Sequence, residues 1–162
     1  MKDQITLDRI KLLHPKVRDE AFEIYDEICE ALKGKAICRF TYTLRTFAEQ
    51  DAIYAQGRTK PGKIVTKARK GLSYHNYGLA IDIVLIINGK EASWNTKADF
   101  DGDGKADWIE IVQIFKEFGW EWGGDWQFKD SPHFQKTFGH SVRELLSLHN
   151  SAKVDAQGFV RI

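Results

Sequence analysis

The chain has 162 residues, long enough to bury one real core, and residues 1–162 are read as a single domain. Hydrophobic residues make up 43% and charged residues 29%, and 24 Lys and Arg against 23 Asp and Glu leave a net charge of +1, which excludes a general polyanion binder; no nucleic acid partner is expected. No apolar run reaches the length of a membrane span, so no stable membrane association is expected, and Met1-Lys2-Asp3-Gln4 lacks the apolar core of a signal peptide, which points to synthesis in the cytoplasm.

Val17, Ala21, Ile24, Tyr25, Ile28 and Leu32 recur at helical spacing and predict an amphipathic helix over 15–32, with Pro15 in its first turn and Gly34 as its stop. Cys29 and Cys38, the only cysteines, lack metal-binding spacing and read as free thiols in a cytoplasmic product. Ile37 to Leu44 alternates and is rich in β-formers, so it reads as a strand. Thr46-Phe47-Ala48-Glu49 is a capping box that opens a second helix, to about Gln56, with Gly57 as its stop. Arg58 to Lys70 carries six basic residues and no acidic one. A loop this long in a small domain is usually functional or disordered. It runs directly into His75, so it is expected to border any site there and to attract carboxylates.

Leu79 to Ile87 is the most apolar stretch and reads as a strand buried on both faces. Asp82 inside it needs a partner or a metal, because an unpaired buried carboxylate is costly. His75 lies at an odd separation from Asp82, so strict alternation would put the two on opposite faces. A turn at Gly78 brings an imidazole and a carboxylate onto one ion.

Asn88-Gly89 predicts a tight turn, with a short return strand at Glu91 to Trp94. Asp99 to Glu110 fits the calcium-loop pattern at every defined position. Asp99, Asp101, Asp103, Asp107 and Glu110 are its expected carboxylate ligands, and Lys105 contributes its backbone carbonyl. A third helix follows over 108–118, with Gly119 as its stop. Trp120-Glu121-Trp122 and Pro132 to Gln135 read as strands, and Ser141-Val142-Arg143-Glu144 as a second capping box. Val154 to Ile162 reads as a terminal hairpin turning near Gln157-Gly158.

Asp130-Ser131-Pro132-His133 supplies a second histidine with a carboxylate ahead of it. Catalytic zinc takes three protein ligands and keeps a position for water. His75, Asp82 and His133 make such a set, and Asp130 is left as a base. His140 is the rival ligand. No His-Glu-x-x-His helix is present, which excludes the thermolysin-type site.

Ser-x-His-x-x-Gly-x-Ala-x-Asp at 73–82, with Asp-x-x-His at 130–133, resembles the signature of the VanY-like zinc peptidases of bacterial cell walls. Leu44 to Gln50, and Trp122 to Trp126 leading into Pro132-His133-Phe134, add to the likeness. That family includes D-Ala-D-Ala carboxypeptidases and dipeptidases, and the L-alanyl-D-glutamate endopeptidases used as phage endolysins. The resemblance implies a hedgehog-like α+β fold, a small and mainly antiparallel sheet with helices packed to one side. It implies a peptidoglycan stem peptide as substrate, cut with a zinc-activated water, Asp130 as the base and Arg45 stabilising the oxyanion. Ser73 and Trp126 are the expected substrate contacts. The endolysin branch, acting on the wall as a monomer after release from the cell, is the leading reading. A D-Ala-D-Ala carboxypeptidase or dipeptidase, or a non-catalytic zinc and calcium module that binds peptidoglycan, are the alternatives.

Overall fold

The computed structural model describes residues 2–162. The strand β2 (Ala80–Ile87) is the axis of an antiparallel sheet. On one side it pairs β1 (Ala36–Tyr42); on the other it pairs β3 (Glu91–Ser93) at its far end and β5 (His133–Gln135) at its near end, and β4 (Glu121–Trp122) follows β5. Alternation sorts the side chains of β2 onto two faces. Ile81, Ile83 and Leu85 are fully buried and join α2 (Pro15–Leu32) and α4 (Asp107–Glu117) in one core. Phe134 of β5 enters the same core and stacks on Phe115 of α4, ring centroids 4.0 Å apart. Asp82 therefore projects from the other face. The register sets it directly opposite His133 on β5 and Tyr42 on β1. The α+β class, with its small antiparallel sheet and helices on one side, is as the sequence implies.

The helix spans Pro15–Leu32 as its spacing predicts, with Gly34 just past its end. Lys33 itself takes the left-handed conformation (φ 54°) and Gly34 continues it. His14 caps α2: its Nδ1 accepts from the Lys16 amide, and its Nε2 donates to the Val160 carbonyl at 2.7 Å. One histidine thus starts a helix and anchors the C-terminal hairpin, whose strands meet at the Val154–Val160 bridge. The Thr46 capping box opens α3 (Phe47–Ala55) as expected. Ser141 caps α5 (Val142–Asn150), but the Glu144 carboxylate turns to His140 Nδ1, 3.2 Å away, so the reciprocal half of that box is absent.

An N-terminal helix, α1 (Gln4–Ile10), has no counterpart in the sequence reading. It closes the free edge of β1. Thr6 Oγ1 accepts from the Phe40 amide, Arg9 donates to the Phe40 carbonyl, and Asp3, which caps α1, pairs with Arg39 through two bonds of 3.0 Å. Covering an edge strand blocks its pairing with another chain. Cys29 and Cys38 are free thiols; burial raises the pKa of each. No helix among the described residues is long and apolar enough to cross a membrane.

A 3-10 turn, Tyr74–Tyr77, leads into β2 through Gly78. Gly78 has φ 68°, and a Cβ there would stand 2.5 Å from the His14 amide nitrogen, whose hydrogen bond runs to the Gly78 carbonyl. Both the positive φ and the close backbone demand glycine. Gly78→Ala should therefore cost about 1–3 kcal/mol, read as a lower denaturant midpoint at unchanged slope.

Candidate active site

The end of the sheet nearest β5 opens into a cleft of about 500 Å³, lined among others by Tyr42, Arg45, Ser73, His75, Asp82, Asp130 and His133. That size suits a small-molecule or peptide site. At its floor Asp82 Oδ1 lies 3.2 Å from His75 Nε2 and 3.0 Å from His133 Nδ1. The turn at Gly78 delivers His75, and the cross-strand register delivers His133. The three donor atoms lie within 4.8 Å of one another.

The other nitrogen of each ring decides what these atoms are. His75 Nδ1 is 2.9 Å from the Thr43 carbonyl, which can only accept, so Nδ1 carries the proton and Nε2 a lone pair. His133 Nε2 is 2.9 Å from Gln135 Oε1, and Gln135 Nε2 donates to Glu121, which fixes the amide so that its oxygen faces the ring. His133 Nδ1 then also faces Asp82 with a lone pair, unless the ring is doubly protonated. His75 Nε2 is buried with no hydrogen-bond partner. His75 Nε2, His133 Nδ1 and Asp82 Oδ1 thus face one point, where a proton on the His133 ring joins it to Asp82 and leaves His75 Nε2 unpartnered. A cation satisfies all three, and carbonyl or amide partners on the far ring nitrogens are the usual outer support of metal-binding histidines. The charges agree. Burial alone would raise the Asp82 carboxyl, but the two histidines hold it well below the usual carboxylate range. Burial would lower His133, yet Asp82 and Gln135 outweigh it and its pKa is raised. Two imidazoles and one carboxylate are a donor set that fits catalytic zinc. His140 is not in this group: it pairs with Glu144, and its carbonyl accepts from the Tyr74 hydroxyl.

Asp130 stands exposed at the cleft edge. Its amide donates to the Gly123 carbonyl, and its own carbonyl accepts from the His133 amide. A Cβ on Gly123 would fall 2.3 Å from that carbonyl, so only glycine allows the approach. Desolvation in the cleft raises the Asp130 carboxyl, the Asp82 charge adds to this, and the two histidines oppose it. A carboxylate with a raised pKa is a better proton acceptor.

Arg45 is held over the Tyr42 ring, 4.7 Å from its centroid, and its Nη1 donates to Gln50 Oε1 at 3.2 Å. Its Nε is buried without a hydrogen-bond partner. Ser73 lines the cleft, and its Oγ accepts from the His75 amide. Trp126 packs against His133 with ring centroids 5.4 Å apart. Val65 and Thr66 of the basic loop line the cleft, so that loop does border the site. Its charges are partly spent on its own fold: Arg58 donates to the Tyr54 and Thr66 carbonyls, and Lys70 pairs with Asp51.

Three positioning residues escaped the sequence reading. Gln50, fully buried, links Arg45 to the basic loop through the Ala68 carbonyl. Asn76 accepts from the Gly71 and Ser73 amides and donates to the Arg45 carbonyl. Gln135 orients His133. The only available signal for Gln135 was its place two positions after His133, on the same strand face.

The acidic loop lies outside the cleft lining. Burial, then repulsion from Asp103, Asp101 and Asp107, pushes Glu110 up to about 7.

The Bacillus subtilis (strain 168) protein named peptidoglycan L-alanyl-D-glutamate endopeptidase CwlK is 49% identical over 125 residues, covering 76% of this chain and 72% of that protein. The family model described as D-alanyl-D-alanine carboxypeptidase matches residues 66–136. The chain belongs to this peptidase family. An L-alanyl-D-glutamate peptidase of Listeria phage A118 is 32% identical over 123 residues, covering 70% of this chain and 37% of the phage protein. The family match contains His75, Asp82, Asp130 and His133, whereas Arg45 and Gln50 lie before it.

Gln135→Leu keeps the volume at that position but removes the acceptor for His133 Nε2. Affinity for zinc or cobalt should fall about 10–100-fold, measured by competition with a chromophoric chelator, while the fold stays intact by circular dichroism.

Proposed function

We propose that the protein is a zinc peptidase that cleaves the L-alanyl–D-glutamate bond of peptidoglycan stem peptides. The observation that carries the peptidase reading is the convergence of His75 Nε2, Asp82 Oδ1 and His133 Nδ1 on one point, in one cleft with Asp130 and Arg45. The choice of bond follows the two relatives, both named for L-alanyl-D-glutamate.

His75, Asp82 and His133 would hold the zinc. When bound, it supplies a Lewis acid and brings the pKa of water toward neutrality. Asp130 takes the proton from the attacking water and returns it to the leaving amine. Arg45, stacked on Tyr42 and braced by Gln50, offers its guanidinium to the carbonyl oxygen as charge develops there. Such a preorganised donor contributes roughly 10²–10³ in rate. Ser73, with its hydroxyl proton uncommitted, and Trp126, beside His133, would contact the stem peptide. The exposed side chains of Tyr42 and Val65 flank the cleft and offer apolar rim to the alanyl side.

The family model's own description favours a second reading, release of the terminal D-Ala. Digestion of purified peptidoglycan followed by mass spectrometry of the new termini separates the two. New N-terminal D-Glu is the expected product; free D-Ala without it would establish the carboxypeptidase, and no cleavage by the zinc-loaded protein would establish a binding module. In the same assay Asp130→Asn should retain one zinc per chain and lose about 10²–10⁴ in turnover. Near-normal turnover would remove Asp130 from the mechanism.

A further inference from the structure

The stretch Asp99-Phe100-Asp101-Gly102-Asp103-Gly104-Lys105-Ala106-Asp107-Trp108-Ile109-Glu110 is unused by the cleft chemistry. Asp99, Asp101, Asp103, Lys105, Asp107 and Glu110 occupy positions one, three, five, seven, nine and twelve of a calcium-binding loop. Gly104 sits at the sixth position with φ 86°, where such loops turn sharply. Glu110 lies in the first turn of α4, where the bidentate ligand of such a loop belongs.

Spacing and acidity alone do not make a site, but the burial does. The Asp101 side chain is 1% exposed and Asp107 is fully buried. Asp101 Oδ2, Asp107 Oδ2 and Glu110 Oε2 are each buried with no hydrogen-bond partner. Carboxylate oxygens of Asp99, Asp101 and Asp107, and of Asp101, Asp103 and Glu110, lie within 4.8 Å of one another, so Asp101 joins both groups around one point. Other oxygens of the cluster accept from amides of the loop itself. Asp99 accepts from the Gly102, Asp103 and Gly104 amides, Asp103 from Lys105, and Asp107 from Phe100. The nearest cation is Lys33, whose side chain is 58% exposed and whose Nζ stops 3.6 Å from Asp103 and 3.9 Å from Asp101. Three unpaired anionic oxygens taken out of water are strongly unfavourable without a cation among them.

We propose that this loop binds one calcium ion. Five carboxylates and one backbone carbonyl offer more oxygens than the compact octahedron magnesium prefers, and suit the larger ion. No helix precedes the loop, which follows β3 and a short coil, so the site is half of the usual helix–loop–helix unit.

The loop also reaches the cleft. Trp108, directly after Asp107, donates from Nε1 to the Ser131 carbonyl at 3.2 Å, and Trp122 donates to the same carbonyl at 2.7 Å. Ser131 lies between Asp130 and His133. Calcium that fixes the first turn of α4 would fix this indole, and with it the segment that carries the base and a metal ligand. This relay rests on the peptidase reading; the calcium site does not.

The test uses zinc-loaded protein titrated with calcium chloride, or with magnesium chloride, by isothermal calorimetry and thermal unfolding. One calcium per chain is expected, with the melting temperature raised roughly 5–10 °C at about 100 times Kd and a clearly smaller rise with magnesium. Asp103→Asn, at an exposed position, and Glu110→Gln, nearly isosteric, should each weaken calcium binding at least about tenfold. No saturable calcium binding, an equal magnesium response, or wild-type binding in both variants would overturn the site. For the relay, calcium should raise the rate of wall cleavage over the same concentration range. Trp108→Phe should keep the calcium-induced thermal shift and lose the rate response; an undiminished rate response in that variant would overturn the relay.

Discussion

The site depends on one cross-strand pair. Asp82 and His133 face each other in an antiparallel ladder, on the sheet face away from the core. A carboxylate in this central strand is tolerable because its neighbours are two imidazoles rather than hydrocarbon. The imidazoles are turned toward it by partners on their far sides, the Thr43 carbonyl and Gln135. The same alternation that sends Ile81, Ile83 and Phe134 into the core sends Asp82 and His133 into the cleft, with Gln135 on the same face behind His133. Packing and chemistry therefore share one register, and a slip of one residue would destroy both.

Around this pair the rest of the cleft is assembled by buried amides rather than by charges. Gln50 and Asn76 connect α3, the 3-10 turn, Arg45 and the basic loop through hydrogen bonds, most of them to backbone groups. Such a network is worth its desolvation only when every group is satisfied. The atoms left unsatisfied near the cleft are His75 Nε2, which faces Asp82, and Arg45 Nε. The backbone is equally constrained. A Cβ at Gly78 would stand 2.5 Å from the His14 amide nitrogen and one at Gly123 2.3 Å from the Asp130 carbonyl, so both positions require glycine, and each holds a strand or loop that carries a candidate site residue.

Much of this was legible in the sequence because the signals were local. A buried aspartate in an apolar run, a glycine between it and a histidine, and a second histidine behind a carboxylate lead to the three donors without coordinates. The capping box at Thr46 and the turn at Asn88-Gly89 are likewise written in a few adjacent residues. What was missed depends on distant partners. The seven residues of α1 are held by Phe40, Arg39 and Tyr25, none of them near in sequence. Gln50, Asn76 and Gln135 are ordinary polar residues until the fold buries them. Glu144 had two possible partners within reach, and the pattern at Ser141 does not show that His140 is the one taken. Lys33, too, is not a residue type that prefers the left-handed conformation it takes at the end of α2, so its sequence does not announce it.

The central claim is that two imidazoles and one carboxylate, and no thiolate, hold the metal. X-ray absorption spectroscopy of the protein loaded with one equivalent of zinc reads that shell directly. The account predicts only nitrogen and oxygen neighbours at about 2.0–2.2 Å, with outer-shell scattering from two imidazole rings. A sulfur neighbour near 2.3 Å, or scattering from three imidazoles, would contradict it.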